Sequence, residues 1–247
     1  MMKESGWLQE IIKRITSFNG QNPWTIFGDF INMTAFSLES GARGKKSKEY
    51  EALAEKYTKE QNDMMGEMLG CLTLAAEDYQ RQGRYVDICG KIYHLLDMQN
   101  SKTGQFFTPQ HLADATASIS LPKDWLECSI EQMGMVYMQE PAAGGGAMIL
   151  ATASRMQELG YDPRRYLYVE ASDIDKTCVC MVYVQLMLYG IPAKVAHKDA
   201  LSREKPWGEW LTLGYIEEYP HIRRLMRALR ARERRDIHAE SARKTGC

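Results

Sequence analysis

Val136-Tyr137-Met138-Gln139-Glu140-Pro141-Ala142-Ala143-Gly144-Gly145-Gly146-Ala147 passes from an apolar run of strand length, through an acid and three consecutive glycines, into the start of a helical pattern. A strand that ends in an acid and hands over to a helix through glycines lets the backbone approach a bound molecule closely, because no Cβ stands in the way. Taken alone, an ordinary glycine-rich turn would look the same. The dinucleotide fingerprint Gly-x-Gly-x-x-Gly fails at Ile149, and a P-loop needs Gly-Lys-Ser/Thr where Ala147-Met148 stands.

Outward from this stretch, runs of strand length alternate with helical patterns. Helices are expected over 109–120, 147–159 and 175–189, and strands over 135–139, 166–170 and 193–197. That alternation predicts an α/β fold with a parallel sheet. In such a sheet a ligand sits beyond the carboxyl ends of the strands, where Glu140, Asp173 and Asp199 all fall. Asp173 or Asp175 must in any case cap the helix that comes next. The helix over 175–189 is apolar nearly all round and reads as packing against the sheet, with no chemistry of its own.

Residues 1–100 read as helical. Trp7, Leu8, Ile11, Ile12 and Ile15 keep a 3.6-residue period, and Asn22-Pro23 offers a cap and a first-turn proline to the next helix. Ser40 to Lys48 reads as a solvated loop, Lys48 to Gln82 as one or two helices, and Val86 to Met98 as another. A polar turn at Asn100 to Gly104 marks the change of texture. The expected division is a helical N-terminal domain (1–100), a sheet-bearing core (101–215) and a basic C-terminal helix (216–247).

The 247 residues carry a formal charge of only −1, which advertises neither nucleic acid nor membrane for the molecule as a whole. From His221 onward, however, eight Arg and one Lys face Glu233, Asp236 and Glu240, a local charge of +6 that leaves −7 on the first 220 residues. Six cysteines without a Cys-x-x-Cys pair suggest neither a zinc site nor a disulfide framework, so reduced thiols and a cytoplasmic setting are expected, with no metal. No apolar run of 18 residues predicts a membrane span.

Glu140-Pro-Ala-Ala-Gly-Gly-Gly-Ala147 resembles the first motif, Asp-Pro-Ala-Cys-Gly-Ser-Gly, of the modification (M) subunits of type I restriction-modification systems and of related N6-adenine DNA methyltransferases. Three more segments resemble the family in the same order: Gly104-Gln105-Phe106-Phe107-Thr108-Pro109, Ala171-Ser172-Asp173-Ile174-Asp175 and His197-Lys198-Asp199-Ala200-Leu201. The resemblance implies a Rossmann-like core that binds S-adenosylmethionine. Gln105, Phe106, Phe107, Thr108 and Pro109 would lie across the methionine end, and Glu140, Pro141, Ala142, Gly144 and Gly146 would form the loop beneath. Asp173 and Ile174 would serve the ribose, and Asp199 and Ala200 the adenine. Carboxylates suit a cofactor that carries a sulfonium, an ammonium, a diol and an exocyclic amine.

The family's Asn/Asp-Pro-Pro-Tyr/Phe motif, which supplies acceptors for the target N6 hydrogens and an aromatic to stack a flipped base, is missing. No Pro-Pro occurs, and the expected place holds Trp207-Gly208-Glu209-Trp210-Leu211-Thr212-Leu213-Gly214-Tyr215, from which Trp210 and Tyr215 are the candidates for stacking a base. Only 48 residues lie beyond Asp199, so the core reads as truncated. Two functions fit: an adenine-N6 DNA methyltransferase subunit of a restriction-modification system, or a catalytically inactive cofactor-binding accessory protein of a mobile-element restriction or antirestriction system. DNA is the expected partner, directly through the basic C-terminal helix or through another chain. A specificity subunit or a second copy is a further candidate.

Overall fold

A computed structural model describes residues 6–18, 20–43, 47–96, 108–202 and 204–231. Its centre is a four-stranded mixed sheet in the order β1-β2-β3-β4: β1 (Val136–Glu140), β2 (Leu167–Asp173), β3 (Ala193–His197) and β4 (Gly208–Leu211). The first three strands run parallel, joined by helices α8 (Ala147–Glu158) and α10 (Lys176–Tyr189), with the four-residue turn α9 (Pro163–Tyr166) leading into β2. β4 returns antiparallel to β3, pairing Val195 with Trp210. The corner is stapled by the buried Thr212, whose hydroxyl donates to Ile191 O (2.8 Å) and accepts from Ala193 N (2.9 Å).

α10 explains how the layers stack. Every residue from Cys178 to Leu186 is buried, as expected of a helix that is apolar on all sides and therefore covered on all sides. One side meets β2 and β3; the other meets the N-terminal helices α2 (Pro23–Arg43) and α4 (Lys59–Arg81), with α1 (Gly6–Thr16) packed on α4. A single apolar core runs from Leu8 through Phe30, Leu72 and Val182 to Trp210. The opposite face of the sheet is half covered. A short helix α11 (Leu213–Glu217) and α12, over 219–231, set Tyr215, Ile222 and Leu225 against Met135 and Tyr168.

Lys48 to Gln82, expected as one or two helices, is two, α3 (Lys48–Ala54) and α4, because Thr58 and Gln61 form a reciprocal capping box that starts a new helix. The expected boundaries shift in two places. Ser40 to Lys48 is not wholly a loop: α2 continues to Arg43, its last turns fastened by Glu39, which accepts from Trp210 Nε1 at 2.8 Å. A helix that the periodicity did not suggest, α7 (Lys123–Met133), lies between α6 (Gln110–Ser120) and β1; Leu126 is its only buried residue, and it stops at Gly134, whose φ of 80° ends it in the left-handed region. α5 (Ile88–Leu95) occupies the place expected of a helix over 86–98. α6 lies close along α8, Ala113 and Ala117 against Ala147 and Ala151.

No helix among the described residues is long and apolar enough to cross a membrane.

Candidate functional site

The carboxyl ends of β1, β2 and β3 lie side by side, and Glu140, Asp173 and Asp199 stand at or just past them. With neighbouring strands about 4.8 Å apart, three adjacent tips fall within about 10 Å. The glycine loop crosses this end of the sheet. Gly144 and Gly146 take φ values of 53° and 94°, a conformation that L side chains rarely adopt, and Gly146 then starts α8.

Two sets of bonds hold the loop. Towards β2, Ala143 N donates to Ser172 O (2.9 Å), Gly144 N to Asp173 Oδ2 (2.8 Å) and the Ser172 hydroxyl to Pro141 O (3.2 Å). Asp173 Oδ1 accepts from Asp175 N (2.9 Å), and Asp175 caps α10 through Thr177 N and Cys178 N. Asp173 therefore braces the glycine loop with one oxygen and the turn into α10 with the other, and each oxygen keeps a lone pair for a ligand hydroxyl.

From beneath, the grip comes from residues to which the sequence pattern assigns no role. Gln185, 1% exposed in the middle of α10, donates from Nε2 to Gly145 O (2.7 Å) and Asp87 Oδ1 (3.1 Å). Its Oε1 accepts from Ile88 N (2.7 Å) and Cys89 N (3.2 Å) at the start of α5. Asp87, also buried, caps α5 through Gly90 N (2.7 Å) and lies so close behind Gly145 that a Cβ there would sit 2.6 Å from Asp87 Oδ2. Burial pushes the Asp87 carboxyl up to about 6, against the bonds from Gly90 and Gln185. Asp87 N in turn donates to Gln110 Oε1 (3.2 Å), which ties the start of α6, and with it Thr108 and Pro109, to the same network. The only signals in the sequence are a lone amide inside an apolar helix and an acid before Ile88-Cys89-Gly90.

The structure thus brings Glu140, Pro141, Ala142, Gly144, Gly146, Asp173, Ile174, Asp199 and Ala200 to one end of the sheet; Gln105, Phe106 and Phe107 lie outside the described residues. Asp199 folds into a turn, Oδ1 accepting from Leu201 N at 2.9 Å. Glu140 is held above the usual carboxylate range, chiefly by burial and also by the Asp173 charge. Two carboxyl groups set side by side favour a cationic ligand. Around them Ile174 (63%), Leu201 (96%) and Trp207 (60%) stand in solvent, an apolar rim that a bound ring system would cover. Trp207 packs edge-on to His197 at 4.7 Å between centroids, and its backbone N–H donates to His197 O. A groove of about 560 Å³ runs from Glu140, Pro141 and Ala200 down the uncovered face of the sheet, past Glu170 and the Lys194–Glu209 ion pair (2.6 Å).

Trp210 and Tyr215, expected as candidates for stacking a base, do not join this group. Trp210 lies on the core face of β4, 8% exposed and bonded to Glu39, with its ring over Gly208. Tyr215 lies between Tyr168 and Tyr219, its ring tilted against both, on the opposite face toward the start of the strands. The reason is the direction of β4: antiparallel to β3, it ends away from the acids, so the chain leaving it emerges at the other end of the sheet.

No curated protein and no solved structure matches the chain. The family model described as N-6 DNA Methylase matches residues 84–214, from the residue before Tyr85 to the first turn of α11 and so across Asp87, the glycine loop and all three strand tips. With more than half of its length matched and the acids placed as above, this chain belongs to the N-6 DNA methylase family.

Proposed function

We propose that the chain binds S-adenosylmethionine across the tips of β1, β2 and β3, in what amounts to the cofactor half of a Rossmann-like core, and that it serves adenine-N6 methylation of DNA within a restriction-modification system, in the manner of an M subunit. The observation that carries this reading is the glycine loop pinned between Asp173 on one side and Gln185 with Asp87 on the other, with acids at three successive strand tips. The donor set suits the cofactor. Glu140 and the Asp173 charge meet a sulfonium or ammonium, the lone pairs of Asp173 accept from ribose hydroxyls, Asp199 accepts from an exocyclic amine, and Ile174 and Trp207 offer apolar faces to a purine. Bound there, the cofactor supplies an electrophilic methyl group. The residues of this chain bind and orient it, and Gly144 and Gly146 keep the backbone out of its way.

A second reading is favoured by one observation: the chain lacks Asn/Asp-Pro-Pro-Tyr/Phe, and β4 leads away from the acids. On that reading the protein is a cofactor-binding accessory of a restriction or antirestriction system, or it transfers methyl groups only with acceptors from a second copy or another subunit. The division into 1–100, 101–215 and 216–247 and a cytoplasmic location belong to the same proposal. Calorimetric titration with S-adenosylmethionine, paired with tritiated methyl transfer to unmodified DNA by the protein alone, tests it. Heat of binding with transfer supports the single-chain enzyme, binding without transfer supports the accessory, and no binding refutes both.

A further inference from the structure

α12 carries Arg223, Arg224, Arg227 and Arg230 and no acid over 219–231. Ile222 and Leu225 are buried, and Met226 packs beside them on the sheet. At 3.6 residues per turn, Arg223, Arg227 and Arg230 then form one stripe along a flank of the helix, beside Arg224, all exposed. Among the described residues none of the four makes an ion pair; the pair on this stretch is His221 with Glu218. Like charges three and four residues apart on a helix each cost about 0.2–0.5 kcal/mol, so the fold gains nothing from the stripe. Beside it, a groove of about 140 Å³ is lined by Gly134, Arg165, His221 and Arg224 among others, with no carboxylate in its wall. Arg165 stands just before β2 and Gly134 just before β1, so the groove opens at the end of the sheet opposite the acids, about 20 Å away at 3.3 Å per strand residue.

We propose that α12 and the Arg165–Arg224 groove form a DNA-backbone surface separate from the strand tips, with one phosphate between Arg165 and Arg224 and neighbouring phosphates on the Arg223–Arg227–Arg230 stripe. Seven residues of helix advance about 10 Å, the axial length of about three nucleotides of one strand. Contacts of this kind position a duplex and carry no sequence information. The choice of DNA as the polyanion rests on the reading of the chain as a DNA methylase.

The test is fluorescence anisotropy with a labelled 30-base-pair unmodified duplex at several salt concentrations, beside calorimetry with S-adenosylmethionine. Each phosphate contact adds about 0.9 to the slope of log K against log salt, so between 50 and 200 mM salt the wild type should lose about 40-fold more affinity than R223Q/R227Q/R230Q. R223K/R227K/R230K should keep the wild-type slope, and R165Q/R224Q, which removes one phosphate contact, should lower it by about 0.9. An unchanged slope in the glutamine variants overturns the inference, as does binding of polyglutamate in preference to duplex, which would assign the surface to an acidic protein. Cofactor heat without DNA binding removes this inference alone. The slope change without cofactor heat removes the proposed function alone.

Discussion

Replacing Gln185 with Met, similar in length and volume, removes the four hydrogen bonds that join α10, α5 and the glycine loop while leaving the packing nearly filled. Four partners lose their bond: Ile88 N, Cys89 N, Gly145 O and Asp87 Oδ1. A buried group left unsatisfied costs about 1–3 kcal/mol. Asp87 keeps the Gly90 amide, and the two α5 amides can turn toward its carboxylate, so the four losses do not simply add. The expected total is about 3–5 kcal/mol, toward the low end of four such losses. For a chain of this size a kcal/mol corresponds to about 2–4 °C in Tm, so circular dichroism should record a fall of about 6–20 °C. Cofactor affinity should fall as well, since Gly145 O loses its anchor. A Q185M protein that melts within about 2 °C of the wild type would refute the idea that this network holds the loop.

Asp87→Asn tests the same network through pH. The folded carboxyl, raised from 3.8 to about 6, holds its proton more tightly than the unfolded one, so stability from this group is greatest below about pH 4 and is lost as pH rises to 6. The asparagine variant should flatten that stretch of the stability profile in urea titrations; an unaltered slope between pH 4 and 6 would assign the effect elsewhere. Gly214→Ala should destabilise by about 1–3 kcal/mol, the cost of overpacking, because its Cβ would meet Gly190 O at 2.7 Å and Pro192 N at 3.0 Å, both backbone atoms that cannot turn aside; a wild-type melting curve would contradict it. Asp199→Ala should weaken S-adenosylmethionine binding in calorimetry by about 1–3 kcal/mol, through an amine left without its acceptor, and unchanged affinity would show that the third tip does not reach the ligand.

The strand tips were legible because their chemistry is local: Gly144-Gly145-Gly146 after an apolar run, and acids at the ends of two more. β3 falls on the expected Ala193 to His197, bounded by Pro192 and a change to polar residues. The features that stayed hidden depend on contacts between distant segments. α7 buries only Leu126, so it has no periodic face to read, although Pro122 and Gly134 bracket it. The direction of β4 is set by Thr212 and by the Trp210–Glu39 bond, 171 residues apart. Gln185 looks like one polar residue in an apolar helix until Asp87, 98 residues away, is placed beside it.

The alanine seam between α6 and α8 has a mechanical consequence. Methyl groups against methyl groups draw two helix axes toward the short end of the usual 8–10 Å separation, where the four alanines have no rotamer to change that would let one helix slide. Thr108-Pro109 at the head of α6 and the glycine loop at the head of α8 therefore travel as one stiff jaw. Whatever tightens the crevice around a guest falls to the opposing lip between Asp199 and Trp207, the side whose apolar residues still stand in water.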